Sequence, residues 1–344
     1  MKIDFINDID YRLEAAYYLE KRLAKKQDHE KTIKSLIEYG VPREKANKLF
    51  SNYEKLLSSL ENEEIVIDPN LVPFLKAGEF NHSLASNLYL YVLDNGGKEF
   101  DTNSFFSDFI KSYYTDPEPV DLTINSIEDL IRLLNMTDFS NETKMICISF
   151  YYKGSEYYQE LKELIGVTSR IIFKYNYLIK EEVLKNFSDA YQRIEDHVIL
   201  KDLRNSERVV RVQPSIFAYS EMSVTLGQKS NLLNYGFLFF ILNDLKEESI
   251  NEETLIINSL KALGDKTRFR IVSILQNKRL YLQELSRLVE LTPATVSYHL
   301  DYLKRYNLIE IDEVSLEANK IYYRLNSTVF NKLIHYLSKL MEGN

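Results

Sequence analysis

The chain has 344 residues, of which 45% are hydrophobic and 27% are charged. This balance excludes an intrinsically disordered chain, and at roughly 100–200 residues per domain the length indicates two or three domains. No run of about 18 apolar residues occurs, and the first residues carry acids where a signal peptide needs an apolar stretch. We therefore expect a cytoplasmic protein that does not contact a membrane. The single cysteine, Cys147, excludes an internal disulfide bond and a cysteine cluster for zinc.

Charge is distributed unevenly along the chain. The formal net charge is −8, which on its own disfavours binding to nucleic acid. Residues 254–344 carry 13 Lys and Arg against 9 Asp and Glu, whereas residues 1–253 carry 30 against 42. The C-terminal part is therefore the basic part of the chain. Such an asymmetry is typical of a chain with a nucleic-acid-binding domain at one end.

Apolar side chains at helical spacing predict helices in most of the first 200 residues. They recur over residues 9–60, where Gly40 is a stop and Pro42 opens a further helix. Further amphipathic stretches cover residues 125–135, 141–152 and 155–187. The N-terminal part of the chain is therefore predicted to be mainly helical.

The pattern changes from helical spacing to alternation near residue 208. Val210 and Val212 alternate with polar neighbours, and the apolar residues between 222 and 226 do the same. This alternation predicts a small antiparallel sheet within residues 208–242. The apolar run 235–242 fits either a third, buried strand or the start of a helix.

Residues 243–253 are polar and acidic, and we place a linker and a domain boundary there. Residues 1–245 then form a mainly helical α+β domain, and residues 254–344 form a second domain, which we call the C-terminal module. The first domain has no glycine pattern of a nucleotide-binding turn, no G-x-S-x-G elbow and no H-E-x-x-H pair. We therefore expect no enzyme, no metal and no cofactor, and a domain that senses an unknown ligand or partner.

The C-terminal module carries local signals for consecutive helices. Asp265 is placed to cap the second helix, and Gly264 suits a left-handed residue that ends the first. The third helix ends near Glu290, and Thr292-Pro293 begins the fourth with a hydroxyl cap and a proline in its first turn. Two short helices joined by such a turn are a helix-turn-helix, whose second helix enters the major groove of DNA.

The fourth helix of the module is the candidate recognition helix. Val296, Leu300 and Leu303 fall on one face and predict its buried side. Small and hydroxyl-bearing side chains on the other face can approach base edges and phosphates closely. The residues predicted to contact DNA from this helix and its cap are Thr292, Ala294, Thr295, Ser297, Tyr298 and Tyr302. The basic residues expected to neutralise phosphates are Lys304, Arg305 and Lys320.

A hairpin and a last helix complete the module. Residues 308–311 and 320–325 predict the two strands, with Lys320 near the tip. Ser327 is expected to cap the last helix, whose apolar residues form one stripe: Phe330, Leu333, Ile334, Leu337, Leu340 and Met341. The stripe is wide enough to pack against a second subunit as well as against the module's own core.

Three stretches of the module occur in an order and spacing that resemble the ArsR family of winged-helix repressors. They are LKALGDKTRFRIVSILQ, LQELSRLVELTPATVSYHLDYLKRYNLIE and KIYYRL. The resemblance covers residues 254–344 and implies a winged helix-turn-helix with a recognition helix over about 293–306. It also implies a homodimer built from the first and last helices of the module, bound to double-stranded DNA, and repression by occupying a promoter.

The module departs from the family pattern at particular positions. Asn307 stands where the family often has glycine, and asparagine is the next most tolerant residue for a left-handed backbone. Asp301 stands where a lysine is frequent, which removes a phosphate contact. Metal-sensing members have cysteines before the turn or His and acidic ligands on the last helix. Here LQELSRL has no cysteine and the last helix offers only His335, so metal sensing there is not expected.

Some features of the module have two interpretations. His299 borders the apolar stripe, where a structural role is more frequent than base reading. Arg268 and Arg270 suit either phosphate contacts or ion pairs inside the module. The module as a whole could also be a protein-interaction unit of a non-enzymatic scaffold, or a DNA-binding tail on an enzyme. A steep loss of DNA binding with rising salt would favour a regulator over a scaffold.

Overall fold

The computed structural model describes residues 2–24, 28–77, 82–95, 100–113, 121–137, 139–203, 208–226, 230–249, 252–315 and 320–342. The chain forms two compact bodies. The first body comprises Met1–Ile33, Glu44–Arg193 and Ser206–Leu242, and the second comprises Lys34–Arg43, Ile194–Asn205 and Asn243–Asn344. The second body therefore contains the C-terminal module together with two earlier segments, which helical periodicity alone places in the first domain.

Helices make up most of the first body, as the periodicity predicts. They are α1 (Tyr11–Leu23), α2 (Asp28–Glu38), α3 (Arg43–Glu61), α4 (Leu84–Asp94), α5 (Thr102–Tyr113), α6 (Ile127–Leu134), α7 (Asn141–Tyr152), α8 (Gly154–Lys174), α9 (Lys180–Asp189) and α10 (Tyr191–Asp196), with 3-10 helices at Val72–Leu75 and Asn176–Leu178. Every residue of α1 from Leu13 to Leu19 is buried, and α1 packs against α4 and α8. Both α2 and α10 begin in the first body and end in the second.

A sheet of strand order β1-β2-β4-β3 completes the first body. Its strands are β1 (Ile3–Phe5), β2 (Val209–Ser215), β3 (Met222–Leu226) and β4 (Ser230–Gly236). β3 and β4 pair in the antiparallel direction, as predicted, but β2 pairs in parallel with both β1 and β4. Parallel pairing joins strands across a long connection, so local alternation could not predict it. The run 235–242 contains both the end of a strand and the start of a helix, because β4 ends at Gly236 and α12 (Phe239–Ser249) begins shortly after it.

The second body holds the helix-turn-helix and a small sheet of strand order β5-β7-β6. One helix of this body, α11 (Val198–Leu203), precedes α12 in the chain. The elements that follow α12 are α13 (Glu252–Leu263), α14 (Lys266–Ile274), β5 (Leu280–Tyr281), α15 (Leu282–Val289), α16 (Pro293–Arg305), β6 (Ile309–Ser315), β7 (Lys320–Leu325) and α17 (Ser327–Glu342). Among the described residues of both bodies, no helix is long and apolar enough to span a membrane.

Three local predictions for the second body are wrong. The acidic segment 243–253 is not a linker between folded parts, because its described part belongs to α12 and α13 and Leu245 is buried. Gly264 is not left-handed. Its N–H donates to the carbonyl of Leu260 at 2.9 Å and so continues the helical hydrogen bonding of α13, and Asp265 caps α14 directly after it. α17 is capped by Asn326 instead of Ser327, because the Asn326 carboxamide oxygen accepts a hydrogen bond from the N–H of Thr328 at 3.1 Å.

Candidate nucleic-acid interface

The helix-turn-helix predicted from the sequence is formed by α15 and α16. Glu290 follows α15 with the left-handed backbone (φ 60°) that ends a helix. Thr292 caps α16, because its Oγ1 accepts a hydrogen bond from the N–H of Thr295 at 3.3 Å, and Pro293 occupies the first turn. Since only residues 290–292 join the two helices, the turn fixes the direction in which α16 starts.

Buried side chains hold α16 against the rest of the module. Val296, Leu300 and Leu303 are buried, as predicted, in a core that also contains Leu285 of α15 and Ile271 of α14. Each such aliphatic side chain stabilises the fold by about 1.5–3 kcal/mol. The outer face of α16 is therefore presented from a backbone that is fixed by packing, as a precise binding surface requires.

The N-terminal half of α16 exposes most of the predicted contacts. Thr292 and Thr295 are exposed, and their hydroxyl oxygens lie 2.8 Å apart. Tyr298 is 64% exposed and Ser297 is half-buried. Hydroxyl groups at a helix N-terminus lie where the helix dipole attracts phosphate. The side chain of Ala294, also predicted as a contact, lies outside the described residues.

Tyr302 differs from the other predicted contacts in its surroundings. It is half-buried against the module core, and the guanidinium carbon of Arg268 lies 4.1 Å from its ring centroid. Tyr306 packs beside it, with the ring centroids 5.0 Å apart. A helical wheel places Tyr302 at the edge of the outer face, and only these neighbours show on which side the ring lies. The prediction that Tyr302 points away from the core is wrong, and its contact with DNA stays a prediction.

Charged side chains occupy the C-terminal half of α16. Lys304 Nζ lies 2.8 Å from Asp301 Oδ1 and 5.8 Å from the ring centroid of Tyr323 in β7. Asp301 therefore adds a negative charge to the outer face and also neutralises one of the predicted phosphate contacts. Arg305 is exposed. Tyr298, Asp301 and Arg305 lie three to four residues apart, so they form one stripe along the outer face of the helix.

The predicted hairpin is formed by β6 and β7. Asn307 has the left-handed backbone (φ 53°) expected of it and turns the chain from α16 towards β6. Lys320 pairs with Ser315 through the backbone, and its side chain lies outside the described residues. Arg324 lies 2.8 Å from Glu310 and 3.0 Å from an oxygen of Asp312. This ion-pair network was not predicted from the sequence, although opposite charges at facing positions of a hairpin indicate such a network.

Arg268 and Arg270 both bind inside the module. Arg268 Nε donates to the carbonyl of Ala262 at 2.6 Å, and Arg270 Nη2 donates to the carbonyl of Leu288 at 2.8 Å. Each arginine therefore caps the C-terminal end of another helix, α13 or α15. His299 is half-buried, with Nδ1 3.8 Å from an oxygen of Asp265. The geometry favours a structural role for all three side chains.

Ionisable groups beside α16 have shifted pKa values. The pKa of Asp265 is lowered, chiefly because its carboxylate accepts the N–H of Arg268. Burial raises the pKa of Tyr323. Both shifts move away from neutral pH, so Asp265 stays charged and Tyr323 stays neutral there. In the described ranges, no group of three or more His, Cys, Asp or Glu side chains is placed to hold a metal ion.

Known proteins resemble the part of the chain that contains this interface. Residues 265–310 match the family described as "Bacterial regulatory protein, arsR family". Over 97 residues the chain is 31% identical to a protein named "Transcriptional activator HlyU" from Vibrio cholerae serotype O1, and the match covers 28% of this chain and 86% of that protein. No solved structure matches the chain.

Proposed function

The chain belongs to the arsR family of bacterial regulatory proteins, and we propose that α16 and the β6–β7 hairpin together read its operator. It is a DNA-binding regulator of transcription. In our proposal α16 lies in the major groove, and the hairpin is the wing that lies along the neighbouring backbone. The observation that supports this most directly is the outer face of α16, which exposes Thr295 and Tyr298 on a helix capped by Thr292.

Replacing Tyr298 by alanine should lower the preference for the operator over unrelated DNA, because the exposed ring and hydroxyl are removed from the outer face of α16. We expect a loss of about 1–3 kcal/mol in discrimination, measured by fluorescence anisotropy on both DNAs. Lys320→Ala should instead weaken binding to both DNAs alike and reduce the salt slope by about one. Equal losses for the two variants on both DNAs would contradict the placement of α16 in the groove.

We propose that the protein forms a homodimer through α13 and α17. These two helices pack against each other, and together they leave an apolar surface whose members are Ile257, Leu260, Ile334, Leu337 and Met341, exposed by 38% to 89%. In the same stripe of α17, Leu333 is buried and Phe330 packs against the module core. The side chain of Leu340 lies outside the described residues. A two-fold pair of α16 helices would meet two half-sites about one turn of DNA apart.

Replacing Ile334 by aspartate should separate the dimer, because it places a charge in the middle of this apolar surface. We expect light scattering to give the mass of a single chain, and affinity for the operator to fall about 100-fold because two half-sites are no longer bound together. Ile131→Asp is the matched control, since Ile131 is an exposed isoleucine on α6 of the first body. A dimer that persists in Ile334→Asp would contradict this interface.

The sense of regulation depends on where the operator lies. We propose repression, because a bound dimer on a promoter excludes other proteins from it, although the similar Vibrio protein is named an activator. Deleting the gene should then raise transcription from its own promoter.

A ligand or partner of the first body would modulate the response, since DNA binding does not need a body of this size. Identical regulation under all conditions by residues 252–344 alone would contradict that sensory role.

Two other functions would give different results in the same assays. A protein-interaction scaffold would bind DNA without preference and without a steep salt dependence. An enzyme with a DNA-binding tail would convert a substrate on residues 1–245. We propose that the protein acts without catalysis, and the absence of nucleotide-binding and hydrolase motifs in the sequence supports this.

A further inference from the structure

Two segments that precede residue 206 belong to the second body, where they lie beside the elements that read DNA. α11 packs against β6, the first strand of the hairpin. The last turn of α2 and the residues up to Arg43 belong to the same body, and Tyr39 follows directly after that turn. The helix-turn-helix and the hairpin are complete without these segments, so their presence calls for a separate explanation.

The end of α2 is shaped by a glycine. Gly40 is left-handed (φ 97°), and the N–H of Val41 donates to the carbonyl of Leu36 at 3.0 Å, which closes the helix in a Schellman turn. A Cβ atom on Gly40 would lie 2.8 Å from the carbonyl oxygen of Ser249 at the end of α12. Glycine therefore permits both the turn and the close approach of α2 to α12, and this approach fixes where Tyr39 lies.

Tyr39 packs against the C-terminal end of the recognition helix. Its side chain is buried, with 2% exposed, and its ring stacks on that of Tyr306 at a centroid distance of 6.1 Å and an interplanar angle of 26°. The ring of Tyr306 in turn packs on Tyr302, which is part of α16. Lys246 of α12 places its Nζ 5.5 Å from the centroid of the Tyr39 ring. Three rings therefore connect the end of α2 to α16.

The tyrosines of this cluster stay neutral near pH 7. Burial raises the pKa of Tyr39, and it raises the pKa of Tyr306 to about 12. The pKa of Lys246 is lowered, first by burial and then by the positive charge of Arg305. Lys246 and Arg305 thus bring two basic groups to the C-terminal end of α16, where the helix dipole favours cations.

We propose that Tyr39 is a positioning residue for DNA reading, and that its ring sets the direction of the C-terminal end of α16 and of the chain's exit into β6. The inference rests on the proposed function and adds a positioning residue to it. Tyr306 immediately precedes Asn307, at which the chain turns towards β6, so one contact orients both the helix and the hairpin.

The test compares Tyr39→Ala with Tyr39→Phe in the full chain. Among the described residues the hydroxyl of Tyr39 has no hydrogen-bond partner, so phenylalanine keeps the stacked ring and is the matched control. Two readouts are used: the ratio of affinities for the protein's own promoter and for unrelated DNA, and amide hydrogen exchange over residues 302–308. We expect Tyr39→Ala to lower the ratio about tenfold and to speed exchange, with Tyr39→Phe within about twofold of the unchanged protein in both.

Other outcomes would refute the positioning role of Tyr39, the role of its ring or the proposed function. Unchanged affinity ratio and exchange in Tyr39→Ala would refute the positioning role, and equal losses in both variants would assign the effect to the hydroxyl and refute the role of the ring. If the unchanged protein shows no promoter preference, the proposed function fails, while the exchange data still decide whether Tyr39 holds the end of α16. Gly40→Ala serves if Tyr39→Ala does not fold, and it should shift both readouts in the same direction with the Tyr39 ring intact.

Discussion

Replacing Asp301 by lysine is expected to raise the affinity for DNA of any sequence about tenfold near 0.1 M salt, with a salt slope steeper by about one to two. The unchanged Asp301 carboxylate lies on the outer face of α16 and is 60% exposed, and it holds Lys304 at 2.8 Å. The substitution removes a negative charge that would face phosphates, adds a positive one and releases Lys304 from its ion pair. Binding to the operator and to unrelated DNA should rise together, because phosphates carry no sequence information.

The control for this effect is Glu156→Lys in the first body. Glu156, in the first turn of α8, also forms an ion pair with a lysine three residues away, Lys153, at 3.2 Å and with a similar exposed fraction of 57%. The two substitutions therefore change the net charge equally and break the same kind of pair. An equal gain in affinity from both variants would mean that only the net charge of the chain matters, which would contradict the position of α16 at the DNA.

Replacing Glu14 by glutamine should change how the stability of the protein depends on pH. Glu14 lies on α1, is 1% exposed and accepts a hydrogen bond from the N–H of Phe217 at 2.8 Å. Burial raises its pKa from the ordinary 4.5 to about 7, against the opposing effect of hydrogen bonds from Phe217 and Ser215. Because the pKa is higher in the folded state, Glu14 stabilises the fold fully below pH 4.5, and that contribution is lost as the pH rises through about 7.

The expected difference between Glu14→Gln and the unchanged protein is large. A shift of this size corresponds to about 3 kcal/mol in the free energy of unfolding, so the variant should gain about that much relative to the unchanged protein between pH 4.5 and pH 8. Denaturant unfolding at a series of pH values measures it, and ionisations common to both proteins cancel in the difference. Two curves that stay parallel over this range would show that Glu14 is not the group responsible.

The parts of the fold that the sequence predicts correctly depend on neighbours in the chain. Thr292 and Pro293 start α16, and Asn307 ends it with a left-handed residue, because caps and turns are set by side chains within a few residues. The buried face of α16 follows from its period of 3.6 residues in the same way. For these elements, residue type and spacing already contain the physical cause.

The parts that the sequence does not predict depend on distant partners. β1 pairs with β2 although about two hundred residues separate them, and Tyr39 packs against Tyr306 across a comparable distance. Neither contact leaves a periodic signal. Spacing likewise does not show that Arg268 and Arg270 donate hydrogen bonds to the carbonyls at the ends of α13 and α15. A guanidinium group can donate to a backbone carbonyl as well as to a phosphate, so residue type alone does not distinguish the two roles.

The most direct test of DNA reading by the C-terminal module is fluorescence anisotropy of the full chain with a fragment of its own promoter and an unrelated fragment of equal length, at salt concentrations from about 50 to 200 mM. We predict tighter binding to its own promoter at every concentration, and affinities for both fragments that fall steeply as salt rises. Binding without preference and without a salt slope would contradict DNA reading by α16 and would favour a protein-interaction module.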